Sequence, residues 1–140
     1  MAYASIHGNT GKAAARMAEI LKENGAENVK VFDLARDDMA EAISSAFRYS
    51  RLIVMGVTYD GNLFPCMEDF LYHLKIKTYK KRKVGIVENG SWAPMAGKLM
   101  KAYFEGMKDI EICEPVVTIK SVMKDADEEN MKTLAKAVLA

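Results

Sequence analysis

Two hydrophobic rhythms alternate along the chain. Short apolar runs rich in β-branched residues, "VKVFDL" (29–34), "RLIVMGV" (51–57), "KVGIVE" (83–88) and "CEPVVTI" (113–119), read as buried strands. Between them the apolar positions recur every three or four residues, the spacing that lines one face of a helix. Ala14, Met17, Ala18 and Leu21 form the first such face, and Gly25 stands where a C-terminal cap belongs. Met39, Ala42, Ile43, Ala46 and Phe47 form the second, after the capping candidate Asp37. Met67, Phe70, Leu71 and Leu74 follow Pro65, a residue suited to a helix's first turn. Leu99, Met100, Tyr103, Phe104 and Met107 follow Pro94, and Met131, Leu134, Ala135 and Val138 close the chain behind Asp125 and Asp127.

Strand and helix thus alternate five times across connections too short for anything but crossover helices, so the strands are expected to be parallel. The expected fold class is α/β, a three-layer αβα sandwich with helices on both faces of the sheet. No repeat or linker divides it, and its 140 residues suit a single domain with a substantial core. The first apolar run, "MAYAS", is short for a buried central strand. The expectation drawn from it is a domain excised from a larger chain, with the cut inside its first strand.

Composition narrows the function by exclusion. A net charge of +1 offers no electrostatic case for nucleic acid or an anionic membrane surface. No apolar run is long enough to span a bilayer, and no basic-then-apolar leader opens the sequence. Cys66 and Cys113 form no CxxC pair and no disulfide framework, so the expected compartment is the cytoplasm. The ten methionines fit gap-filling on helix core faces. His73 on the third helix reads as a surface or packing residue, and "KTYKKRK" (77–83) as a solvated loop ahead of the fourth strand.

In an open parallel sheet, ligands bind beyond the carboxyl ends of the strands where the strand order reverses. That points to the loops after the first, third and fourth strands. The first, "SIHGNT" (5–10), places hydroxyls, an amide and a glycine where the positive end of a helix exposes unpaired N–H groups. Ser5, Asn9 and Thr10 supply side-chain donors and Gly8 allows the backbone to aim more N–H groups inward. Such a nest holds a phosphate without any cation, with Lys12 at the rim. An ordinary helix cap uses the same residue types. The Walker and GxGxxG patterns are both absent. The second loop carries Tyr59 beside an Asp60-Gly61-Asn62 turn, and the third, "ENGSWAPMAG" (88–97), carries the single tryptophan, Trp92. Phosphate donors, a flexible turn and an aromatic plate at one sheet edge describe a site for a phosphorylated planar cofactor.

These loops resemble those of flavodoxins, the FMN-binding electron-transfer fold, over the whole length of the chain. "YASIHGNT", "GVTYDGNLFPCMEDFL" and "ENGSWAPMAGKLM" are more specifically similar to the C-terminal flavodoxin domain of A-type flavoproteins, the flavodiiron family. The resemblance implies a five-stranded parallel sheet in the order 2-1-3-4-5 and a non-covalent FMN. It implies that Ser5, His7, Gly8, Asn9 and Thr10 hold the phosphate, His7 and Gly8 occupying positions that vary in the family. Thr58, Tyr59, Asp60, Gly61 and Asn62 would cover one side and edge of the flavin ring. Asn89, Gly90, Ser91, Trp92 and Ala93 would line the pyrimidine edge and the opposite face, Trp92 stacked upon it. It also implies electron shuttling in place of catalysis by protein groups, the protein binding the cofactor and tuning its potentials. The Asp60–Gly61 peptide would turn its carbonyl toward the flavin's N5 proton on reduction, a movement that Gly61→Ala would hinder.

The flavodiiron parent would carry an N-terminal β-lactamase-like di-iron domain that reduces oxygen or nitric oxide, a rubredoxin-like donor and homo-oligomeric assembly. The present residues, with only His7 and His73 and no HxExD cluster, do not supply that metal site. Three rivals stand beside this reading. An NAD(P)H-dependent FMN or quinone reductase needs a nicotinamide pocket for which no motif exists here. A receiver-like or phosphate-binding module would need, in the receiver case, clustered acidic residues after the first strand, and there are none. The third is a degenerate domain that no longer binds FMN.

Overall fold

The structure is a computed structural model describing residues 1–90 and 94–140. Its elements run β1 (Ala2–Tyr3), α1 (Asn9–Glu23), β2 (Phe32–Asp33), α2 (Met39–Arg48), β3 (Arg51–Tyr59), β4 (Asn62–Leu63), α3 (Pro65–Ile76), β5 (Arg82–Asn89), α4 (Ala96–Glu105), β6 (Ile110–Ile112), β7 (Val117–Ile119) and α5 (Asp125–Leu139). The main sheet is parallel in the order β2-β1-β3-β5-β6, with β7 also on β5. Counting β6 and β7 as one interrupted strand, this is the expected 2-1-3-4-5 order.

The spine is β3 against β5, in register from Arg51↔Lys83 to Val57↔Asn89. Both strands are buried almost throughout, so their sequences are continuously apolar instead of alternating. Side chains from opposite faces of the pleat feed two cores. Leu52, Val54, Val84 and Ile86 meet α2, α3 and α4, while Ile53, Met55, Val87 and Ile119 meet α1 and α5. Met17, Met67, Met100 and Met131 are fully buried on their helices, as expected of gap-filling thioethers. Gly85 lets α5 approach closely, because a Cβ there would lie 3.0 Å from Val138 and 3.2 Å from Ile53. Across the outside of this layer Arg16 of α1 donates to Glu128 of α5 at 2.6 Å and to Glu19 and Glu23, which holds the Glu128 carboxyl below its usual range.

The helix signals act largely where the sequence put them. Gly25 adopts φ +97 just past α1; its N–H bonds to Lys22 O and that of Ala26 to Leu21 O, a Schellman closure. Pro65 opens α3, and Met67, Phe70, Leu71 and Leu74 are fully buried. Asp38, not Asp37, caps α2, accepting from the Ala40 N–H at 3.1 Å. Asp37 instead bonds back to the Asp33 N–H at 2.7 Å and fixes the turn before the helix.

Four strand expectations need correction. "MAYAS" pairs only at Ala2–Tyr3, and "VKVFDL" pairs only at Phe32–Asp33, because no strand lies opposite residues 29–31. "CEPVVTI" is strand only from Val117, since Pro115 cannot donate to a ladder; the pairing with β5 breaks there and resumes. An added strand, β4, forms an antiparallel hairpin with β3, so the sheet has more than five segments. "KTYKKRK" is anchored and not simply solvated. Tyr79 is fully buried, edge-on to Phe47 at 5.2 Å and 5.0 Å from the Arg82 guanidinium, and burial pushes its phenol pKa up. His73 is partly exposed and bonds to the Asp69 carbonyl one turn back, as a packing residue would.

If α5 is held by core burial and α2 by its cap, the two should differ in cost. Leu134→Ala should lower stability by about 2–5 kcal/mol through a cavity, and Asp38→Ala by only about 1 kcal/mol. Urea unfolding monitored by circular dichroism measures both.

Candidate functional site

At the carboxyl edge of the sheet, three loops converge around a cavity of about 200 Å³ lined by Ser5, Ile6, His7, Asn9, Thr10, Val57, Thr58, Asn89, Gly90 and Ser121. The order reversal between β1 and β3 puts this cavity at the switch point, where neighbouring crossover helices diverge.

The first loop is shaped by Gly8, the residue before α1, at φ +87, with its N–H donating to Ser5 Oγ at 2.9 Å. The first intrahelical bond of α1 runs from Lys12 N–H to Gly8 O. Among the described residues the N–H groups of Asn9, Thr10 and Gly11 therefore have no backbone or side-chain acceptor, and no acidic side chain sits in that first turn. Thr10 is 3% exposed and lines the cavity, and among the described residues its hydroxyl has no hydrogen-bond partner. Several preoriented neutral donors, a helix's positive end and no lining carboxylate make a cradle for an anion.

The N-terminus of α4, on the same edge, is handled in the opposite way. Thr58 Oγ1 accepts from Met95 N–H at 2.9 Å and Ala96 N–H at 3.1 Å. The carboxylate of Glu88, 8% exposed, accepts from Gly97 N–H at 2.8 Å and from the Thr118 hydroxyl at 2.7 Å. A Cβ at Gly97 would lie 2.8 Å from that carboxylate, so the small residue is what admits it. Donors that α1 leaves open are thus already satisfied in α4. An anion has one helix terminus to choose here, and it is that of α1.

The second loop is a tight hairpin. Tyr59 pairs with Asn62, and Asp60 (φ 50) and Gly61 (φ 77) both take positive φ, the mirror-image turn that matches strand twist. Tyr59 is 47% exposed and rests edge-on against Phe64 with ring centroids 5.5 Å apart. It offers a ring held at the rim of the sheet edge.

Of the residues singled out from the sequence, Ser5, His7, Asn9, Thr10, Thr58, Asn89 and Gly90 line one cavity. Gly8 shapes its first loop from the exposed side. Tyr59, Asp60, Gly61 and Asn62 form the exposed hairpin beside it. Ser91, Trp92 and Ala93 lie outside the described residues. Sequence reasoning missed Ser121, Glu88 and the cap made by Thr58. Ser121, at φ 68, donates its N–H to Asn89 Oδ1 and accepts at its carbonyl from Asn89 Nδ2, both at 3.0 Å. No local signal marks such a clasp; a buried-edge amide (Asn89) in search of two backbone partners is the only hint.

Neither a protein-family model nor a curated protein matches the sequence. Solved structures do. The rubredoxin oxygen:oxidoreductase of Desulfovibrio gigas superposes with a TM-score of 0.89 at 23% identity, over 98% of this chain and 34% of its own. Oxidised flavodoxin 1 from Bacillus cereus gives 0.83 at 19% identity, over 99% and 95%. The chain has the flavodoxin fold. A flavodiiron core from Synechocystis gives 0.82 at 18% identity, over 99% of this chain and 35% of that one. The chain therefore spans about a third of the length of the D. gigas oxidoreductase and essentially all of a free-standing flavodoxin. Among the described residues no helix is long and apolar enough to cross a membrane.

Because the buried Glu88 carboxylate serves two otherwise unpaired donors, Glu88→Ala should cost about 1–3 kcal/mol. It should also speed hydrogen exchange at the Gly97 amide more than at Met17 in α1, which two-dimensional NMR resolves.

Proposed function

We propose that this domain binds FMN non-covalently and passes electrons through it. The single observation that carries the reading is the start of α1: among the described residues the N–H groups of Asn9, Thr10 and Gly11 have no acceptor and the hydroxyl of the buried Thr10 makes no hydrogen bond, and Asn9 and Thr10 line the cavity at the sheet's switch point. A phosphate monoester supplies the acceptors these groups lack. Ser5 helps by holding the loop through the Gly8 N–H. The cofactor, when bound, supplies one- and two-electron chemistry at its ring; the chain's own residues bind, orient and shield it.

The residues divide by role. Asn9, Thr10 and the α1 backbone take the phosphate, with His7 at the mouth. Tyr59 presents a ring at the rim, and the Asp60–Gly61 turn presents peptide groups to the flavin edge. Asn89 and Gly90 form the far wall, and Trp92 is assigned the face opposite Tyr59. Thr58 ties the root of the second loop to the start of α4 through the two bonds it accepts.

The redox partner we propose is a di-iron domain of the flavodiiron kind within one larger assembly, with a rubredoxin-like protein as donor. Support comes from the fit to the D. gigas oxidoreductase, of which this chain covers one domain-sized third, and from the "LFP" entry into α3 that marks the A-type resemblance.

Titration of the protein with FMN should quench flavin fluorescence with micromolar or tighter affinity. Thr10→Val, which keeps the volume and removes the hydroxyl, should weaken FMN about tenfold, the effect of one lost charge-assisted bond of about 1.4 kcal/mol. It should leave riboflavin, which has no phosphate, unchanged. Absence of quenching, or equal losses for both flavins, would contradict the phosphate assignment.

A further inference from the structure

The segment "KIKTYKKRK" (75–83) carries six of the chain's twenty cations and none of its nineteen carboxylates, so the rest of this nearly neutral molecule is net acidic. It joins α3 to β5 at the amino edge of the sheet, the end of β5 remote from Asn89 and the cavity described above. Lys75, Lys77, Lys80 and Lys81 are exposed here, and the bond from Lys81 N–H to Lys108 O brings the exposed Lys108 alongside. Among the described residues none of these five ammonium groups forms an ion pair, whereas Lys83 beside them meets Glu111 at 3.8 Å. A helix C-terminus attracts cations, which accounts for Lys75 and Lys77 at the end of α3. It does not account for Lys80, Lys81 and Lys108, which lie past the last turns of α3 and α4.

The lysines are presented on a fixed backbone. Helix α3 closes in a Schellman motif, with Thr78 N–H bonded to Lys75 O at 3.2 Å and Tyr79 N–H to Leu74 O at 3.0 Å. Thr78 (φ 63) stands in the left-handed position that glycine usually fills, and Lys81 (φ 55) is left-handed too. Such residues cost energy unless the surroundings hold them. The hold comes from the buried Tyr79 ring and from Arg82, whose guanidinium donates to the Phe47, Tyr49 and Lys80 carbonyls.

Apolar surface adjoins the lysines. Tyr72 and Ile76, one turn apart on α3, are 52% and 55% exposed. The Tyr72 ring stands edge-on to His73, which is itself bonded to Asp69 O. Tyr103 of α4 borders the same surface: burial, then the Glu68 carboxylate and Tyr72 nearby, push its phenol pKa up. The half-buried Met107 lies just beyond it.

We propose that this face docks an acidic amphipathic helix of a partner protein, its apolar side on Tyr72, Ile76 and Met107 and its carboxylates on the surrounding lysines. Charge complementarity selects the occupant, because unpaired ammonium groups fixed around an apolar patch match carboxylates that flank an apolar stripe. A single helix is small enough to meet this face alone. A membrane plane or a nucleic-acid duplex extends past it toward the net-acidic remainder and gains less. Docking here leaves the candidate cofactor loops uncovered, since they stand at the other end of β5. The inference does not rest on flavin binding.

The probe is a fluorescein-labelled peptide of three Glu-Leu-Gln-Glu-Leu-Leu-Gln repeats, followed by fluorescence anisotropy. Binding is expected, weaker in about 0.15 M than in about 0.05 M salt as screening grows. Lys80→Glu/Lys108→Glu should weaken it at least about tenfold and Ile76→Ser about threefold or more, the fold of each variant being checked by circular dichroism. The same peptide with Lys in place of Glu should not bind. No binding at either salt concentration, or binding indifferent to the two charge reversals, would overturn the proposal. Hexaglutamate binding as tightly as the amphipathic peptide would overturn it too. So would phosphatidylserine vesicles or a short DNA duplex binding more tightly than the peptide at the higher salt, since either marks a site for polyanions in general. None of these readouts requires flavin.

Discussion

Most of the arrangement depends on how two helix N-termini at one sheet edge are treated. A helix start exposes backbone donors that must find acceptors when water is excluded. In α4 those acceptors come from the protein, two bonds to Thr58 and one to Glu88. In α1, among the described residues, they do not, and the Thr10 hydroxyl is a further donor without a partner there. The same elementary problem is solved internally once and left for a ligand once. The difference leaves the start of α1 with open donors in a chain whose net charge is close to zero.

The sheet provides the rigid frame for that difference. β3 and β5 pair over seven residues and bury both faces, so the loops leaving them are fixed at their roots. Around this spine the outer strands are short and interrupted. β1 and β2 pair at two residues, and the last strand is broken at Cys113–Val116 before resuming as β7. The resumption matters to the site, because β7 delivers Thr118 to Glu88 and, just beyond it, Ser121 to Asn89.

What could be read in the sequence was whatever is encoded locally. Pro65 opening α3, Gly25 closing α1 and the apolar stripes of α1, α3 and α5 each carry their own signal and stand where expected. The place of the first loop, leading directly into α1, was legible too, since an alanine-rich helical face follows it at once. Long-range partners were not. Nothing near Met95 indicates that Thr58, 37 residues earlier, caps the helix, and nothing near Ser121 indicates Asn89. The misplaced α2 cap shows the limit of local reading: Asp37 and Asp38 are chemically identical neighbours, and only the turn geometry decides which accepts from the helix. Strand lengths failed for a related reason, because a strand is defined by its neighbour; residues 29–31 have β composition but no strand pairs with them among the described residues.

The Thr58 hydroxyl belongs to the strand that launches the hairpin, yet both of its accepted bonds come from the entrance to α4. The root of the hairpin and the entrance to α4 therefore share a single acceptor atom. Moving Thr58 away from α4 would strip two amides of their acceptor at once, so the hairpin's root and the helix entrance are held together by one side chain.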